Sequence, residues 1–161
     1  MTQTIYPGAD DFYAAIAKPF DGAEFTPITK ALGLAWDDTI RFDRDLHIYE
    51  ISLPQHGLHF TFEDEGVVLE RDYHDAGEGP FVLTKCTFWG DEKSVGMYRG
   101  ALWKGIEFGD SLEQVLEKAG PPSKINERDG VYFWQHPGAR VTVQWKAPNR
   151  IRVLTFWMTK G

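Results

Sequence analysis

His56 and His59 are the first residues whose spacing could hold a metal ion. An H-x-x-H pair on a helix shares one face, and His47 and His74 lie nearby in the chain. Here the pair falls at a turn and in the alternating stretch Leu58–Phe62, where the two rings point to different faces. They read as turn or surface histidines, and no metal site is expected. Cys86 is the single cysteine and lies in a strand-like run, Phe81–Trp89, with no evident base beside it. It reads as a small buried apolar residue. There is no G-x-S-x-G, and Gly96-Met97-Tyr98-Arg99-Gly100 lacks the Gly-Lys-Ser/Thr ending of a phosphate loop. Carboxylate pairs are plentiful (Asp37-Asp38, Asp43/Asp45, Asp72/Asp75). An acidic surface supplies such pairs whatever its role, and acid–base work needs environments that separate their pKa values. No catalytic residue and no cofactor is expected, and the chain does not read as an enzyme.

Charge says more. The net charge of −7 is unevenly spread: residues 1–99 hold 8 Lys+Arg and 18 Asp+Glu, residues 100–161 hold 9 and 6. One stretch holds seven acids (Glu63, Asp64, Glu65, Glu70, Asp72, Asp75 and Glu78) against the single base Arg71. Such a segment repels nucleic acid and steers a basic partner; the bland alternative is a solvated hairpin loop. Trp36, before Asp37-Asp38, and Trp103 lie outside strong strand patterns. Aromatics beside acids form an anchor-and-rim surface suited to protein recognition, with partial burial under loops as the alternative. These nine residues are the candidate partner-binding set. Trp145 and Trp157, in alternating strands with Val141, Val143 and Val153, read as core. The N-terminal residues lack a basic and an apolar signal region, no run reaches a membrane span, and a lone cysteine suggests no oxidising compartment. A cytoplasmic protein with no membrane association is expected.

The elements that must position these residues fall in two halves. In the first, Asp10–Phe20 reads as a short helix ended by Pro19. Thr26-Pro27 reads as the N-cap and first helical residue of a second, with Gly33 as its C-terminal cap. Strand-like runs follow at Leu46–Leu53, Leu58–Phe62, Gly66–Arg71 and Phe81–Trp89. In the second, Asp110 with Glu113 reads as a variant capping box for a helix over Ser111–Ala119, stopped by Gly120-Pro121-Pro122. Strands are then expected around Val131–Trp134, Arg140–Trp145 and Ile151–Trp157.

The halves answer each other in order. Lys30–Gly33 matches Glu117–Gly120, Gln55–Phe62 matches His136–Val143, and Thr87-Phe88-Trp89 matches Thr155-Phe156-Trp157. The arrangement resembles the tandem helix-and-sheet repeat of the beta-lactamase inhibitory protein and the related module of the outer-membrane assembly lipoprotein BamE. The resemblance is carried by Phe108–Val115 through Ala119-Gly120-Pro121-Pro122. It covers most of the second half and the outline of the first. Those proteins are secreted or lipid-anchored, and this chain shows no export signal or lipobox cysteine. It is also similar to immunity proteins of bacterial polymorphic toxins, which are small, acidic, aromatic-rich and cytosolic.

The expected fold is therefore α+β, with two tandem modules, each a short helix or helix pair packed on an antiparallel β-sheet. They span residues 1–99 and 100–161, or merge into one globular domain. The resemblance implies an immunity-type inhibitor that masks the active site of a cognate, basic bacterial toxin or effector. The alternative is a small-ligand binder or enzyme with an aromatic pocket between two sheets.

Overall fold

The computed structural model describes residues 5–36, 40–43, 47–68, 79–90, 92 and 95–159. Within them, eight strands form a single antiparallel sheet: β1 (Arg41–Asp43), β2 (Ile48–Leu53), β3 (Leu58–Asp64), β4 (Phe81–Trp89), β5 (Lys124–Asn126), β6 (Val131–His136), β7 (Ala139–Ala147) and β8 (Arg150–Met158). The order across the sheet is β1-β2-β3-β4-β8-β7-β6-β5. This corrects the expectation of two modules with a sheet apiece. The sheets fuse because the last strand of each half pairs with the other, Lys85–Trp89 running against Val153–Trp157. Left apart, β4 and β8 would each present a row of unpaired backbone donors and acceptors beside apolar side chains. Pairing satisfies those groups and joins Cys86 and Phe88 to Leu154 and Phe156 on one face.

The seam is locally two-fold. Thr87 lies opposite Thr155, and the cross pairs Phe88–Leu154 and Cys86–Phe156 flank it. Outward from there, Leu58 faces Phe88 as Val141 faces Phe156, and Leu53 faces Leu58 as Trp134 faces Val141. Spatial equivalence thus pairs Leu58 with Val141, two residues away from the match of Gly57 with Gly138. The hairpin joining β6 to β7 extends further before it turns, so glycine alignment and strand register part company.

All helices but the shortest cover one face. In α1 (Ala9–Ala15), Phe12 and Ala15 sit three apart and are fully buried. The helix stops short of the expected Phe20 because residues 16–19 run beside β4. Ala17 N–H donates to Leu83 O at 2.8 Å, and Leu83 N–H to Lys18 O at 2.9 Å. They occupy the edge of β4 that β8 leaves open beyond Lys85. As expected, α2 (Thr26–Leu32) ends at Gly33, whose φ of 65° is left-handed, but Thr26 is its first helical residue and Pro27 its second, with Phe25 and not Thr26 at the cap. Gly66–Arg71 was expected as a strand, but Glu65–Val68 form a single helical turn, α3, and residues 69–71 lie outside the described residues. The cause is Asp64, whose carboxylate accepts the N–H groups of Gly66 (2.8 Å) and Val67 (3.3 Å). In α4 (Leu112–Ala119) the cap is Ser111, not Asp110. Its hydroxyl accepts Gln114 N–H and the Gln114 side chain accepts Ser111 N–H, a reciprocal box. Asp110 is buried instead, accepting Glu107 N–H at 3.0 Å and Lys118 Nζ at 2.6 Å.

Between helices and sheet lies one core. Phe12, Phe25, Phe60, Phe62, Phe88 and Phe156 are all 0% exposed, joined by Tyr98, Trp103, Val115 and Leu154. No helix among the described residues is long and apolar enough to cross a membrane.

Candidate functional site

Strand alternation sends every second residue to the other side of the sheet. Leu58, Phe60 and Phe62 enter the core, so His59, Thr61 and Glu63 face away from it. Following the register from His59, the row on this second face reads Ser52, His59, Thr87, Thr155, Thr142, Phe133 and Lys124, one residue per strand. A parallel row reads Glu50, Thr61, Lys85, Trp157, Arg140 and Gln135. Trp89 and Val153 stand on the other flank. No described helix crosses this face, and of the described residues outside the strands Val95 lines its end. The short threonines form the floor of an open groove of about 570 Å³, and the larger side chains form its rims.

One rim of this groove carries a tryptophan held between two cations. Lys85 Nζ lies 4.4 Å and the Arg140 guanidinium carbon 5.6 Å from the Trp157 ring. Trp157 Nε1 donates to Thr142 Oγ1 at 3.1 Å, which fixes the ring against the floor. Arg140 also stacks near Phe133 at 5.5 Å, and its Nε is buried with no hydrogen-bond partner. Neither Lys85 nor Arg140 has a carboxylate partner among the described residues. Trp157, expected in the core with Trp145, therefore belongs to the open face. Trp145 does pack on the helix side, donating to Asp110 O at 3.1 Å. The sequence pattern places both in alternating strands and cannot tell their faces apart. The parity of Trp157 becomes readable only once the extra residue Arg152 in β8 is known: Gln144 pairs with Val153 and Trp145 with Ile151, so Ile151 enters the core while Val153 and Trp157 face the groove.

His59 stands at the edge of the groove, 3.7 Å from Glu50. Burial holds its pKa below the ordinary 6.5, opposed by Glu50 and reinforced by the Lys85 charge. A histidine that resists protonation in the folded chain takes up its proton more readily when unfolded. Its contribution to stability is therefore complete above about pH 6.5 and is lost as pH falls through the lower folded value. His59→Gln is expected to flatten the dependence of unfolding free energy on pH over this range. Chemical denaturation of both chains at a series of pH values checks it, and an unchanged slope contradicts it. His56 goes elsewhere: its Nδ1 lies 3.0 Å from the Tyr6 hydroxyl. No group of three or more metal-ligating side chains occurs among the described residues.

The nine residues proposed from sequence are scattered. Glu70, Asp72, Asp75 and Glu78 lie outside the described residues. Asp64 is 0% exposed and engaged by backbone N–H groups, so its carboxylate is not presented to a partner. Glu63 is on the open face, and its carboxylate accepts the Thr84 hydroxyl. Glu65 begins α3 and is half-buried. Trp103 is 6% exposed, packed near Trp134 and His136 under the helix layer. Trp36 is 43% exposed and leans on Phe20, Tyr49 and Phe62. Trp36 and Trp103 share no ring neighbour, so the structure does not unite them in one surface. What sequence reasoning missed is the group Lys85, Trp157 and Arg140, which only strand register brings together. Comparison with protein families, curated proteins and solved structures finds no significant match to this chain.

Proposed function

We propose that this chain is an inhibitor-type binding protein that lays the uncovered face of its sheet over a toxin or effector and masks the partner's active site. The observation that supports this reading is the Lys85–Trp157–Arg140 row, aligned across three neighbouring strands at the middle of an open face. Tryptophan and arginine at the centre of a patch are the side chains that most often dominate protein association. A rigid sheet presents them at little conformational cost. Two cations without carboxylate partners ask for a carboxylate on the partner, and Arg140 can take it through its planar fork. The net charge of −7 draws in a protein that is basic overall. A basic enzyme whose active site is built on carboxylates satisfies both demands. The alternative of a ligand pocket between two sheets loses its premise, because the sheet is continuous.

The test uses a host's toxins and effectors expressed as a panel. A partner is sought with the wild-type chain, and its activity is assayed against wild type and a Trp157→Ala/Arg140→Ala double variant. The double variant is expected to lose about a hundredfold in affinity and to stop inhibiting, with its unfolding midpoint little changed. A partner inhibited equally well by both chains excludes the sheet face as the contact surface. A panel with no inhibited member counts against the inhibitor reading itself.

A further inference from the structure

A second recessed site lies on the opposite side of the sheet from the groove, at the β1–β2 edge. Four aromatic rings, Phe20, Trp36, Tyr49 and Phe81, line an open cavity of about 480 Å³, and the exposed Asp21 is also among its lining residues. Trp36 meets Phe20 at 5.0 Å and 63°, and Tyr49 at 4.8 Å and 61°; Tyr49 meets Phe81 at 4.7 Å and 90°. The rings therefore stand at steep angles to one another rather than in a flat stack. Phe62, fully buried, backs them at 6.0 Å from both Phe20 and Trp36. The remaining wall is Pro19 and Pro80, which have no backbone N–H to offer.

The chemistry of this lining is selective. Among the described residues it contains no Lys, Arg or His, and of their side chains only Trp36 and Tyr49 carry a donor. An anion would find almost nothing to bind it. A neutral polar ligand would lose its water for few hydrogen bonds. A cation whose charge is spread over alkyl groups suits the site: it needs no acceptor network, is cheap to desolvate, and is attracted by the negative faces of the rings. Asp21 adds a formal charge of the right sign. It is exposed, and no described residue pairs with it.

The geometry points to a binding site for a quaternary alkylammonium group, held by Phe20, Trp36, Tyr49 and Phe81 with Asp21 as counter-charge. The group is the same whether it belongs to a free choline-like molecule or to a trimethylated lysine of a peptide. The site is independent of the sheet-face contact, and neither depends on the other.

Calorimetric titration of the full chain tests it with three probes: choline, its uncharged isostere 3,3-dimethylbutan-1-ol, and a short peptide carrying trimethyllysine beside the same peptide unmodified. Choline is expected to bind saturably and at least tenfold better than the isostere, since only the charge differs. Trp36→Ala is expected to lose about tenfold or more, Trp36→Phe less, and Asp21→Asn several-fold with a weaker salt dependence. Both positions are exposed, so these variants are expected to fold. A trimethyllysine peptide that binds much tighter than choline assigns the group to a peptide, and equal affinities assign it to a free small molecule. Equal binding of choline and isostere, unchanged affinity in Trp36→Ala, or no saturable binding of any probe overturns the site.

Discussion

Phe12→Ala is expected to lower the unfolding free energy by about 4 kcal/mol, the middle of the range for an aromatic lost from a core. The ring is 0% exposed and is the point where the helix layer meets the sheet seam. It stands edge-on to Phe88 at 4.8 Å, lies near-parallel to Phe60 at 5.9 Å, and meets Tyr98 edge-on at 5.9 Å. None of these neighbours can move in to fill the gap. Phe60 and Phe88 are held in the middle of hydrogen-bonded strands, and the Tyr98 hydroxyl is tied to Pro7 O. The cavity therefore persists, and its cost adds to the lost transfer energy. For a domain with typical stability of about 5–15 kcal/mol this is a large fraction. Urea unfolding followed by circular dichroism measures it. A loss below about 1 kcal/mol would mean that α1 is not docked on the seam as described.

Asp64→Ala is expected to cost about 3 kcal/mol, although the residue sits in the most acidic stretch of the chain. Its Oδ1 accepts Gly66 and Val67 N–H, and its Oδ2 accepts Gly79 N–H at 2.9 Å. One side chain thus binds the start of α3 to the strand entry at Gly79, alongside the Glu65 N–H bond to Pro80 O at 2.8 Å. Alanine removes both acceptor oxygens at once and leaves these three N–H donors to find water. Bonds to a charged acceptor are the stronger kind, so the loss exceeds that of three neutral bonds weakly made. Asp64→Asn keeps one carbonyl oxygen and should recover part of the stability. Thermal unfolding of both variants, with hydrogen exchange at Gly66 and Gly79, separates this account from its rival. If Asp64→Ala unfolds like wild type but loses a protein partner, Asp64 is a contact residue and the structural role assigned to it is wrong.

Asp64 and Trp157 show how far a one-dimensional pattern reaches. Charge clustering placed Asp64 on a recognition surface, because acidic residues are usually solvated. Three backbone N–H groups in the right place reverse that, and their convergence comes from Gly79, fifteen positions along the chain. Trp157 looked like core because it alternates with other apolar residues. Alternation reports that a strand has two faces and is silent on which one the helices will cover. The Asp110/Glu113 signal was displaced by one residue for a related reason: Ser111 and Gln114 offer the same reciprocal bond, and Asp110 is taken by Lys118.

By itself the sequence determined the local elements of this protein: the proline-led α2 with its glycine cap, the helix ended by Gly120-Pro121-Pro122, the strands from Leu58 and Phe81, and the three at the C-terminal end. These follow from backbone sterics and hydrophobic periodicity, which act within a few residues. Only the tertiary structure decided that the two halves share one sheet, since pairing of β4 with β8 joins residues nearly seventy positions apart through backbone bonds that no side-chain pattern encodes. That pairing also decided the candidate sites. It sets Lys85 and Arg140 on either side of Trp157, on the face that no described helix covers. At the far edge, Pro19–Asp21, Trp36 and Pro80 join Tyr49 of β2 and Phe81 of β4 around the open aromatic cavity. Each site is assembled from strands and turns distant in sequence, and its chemistry exists only once they are adjacent.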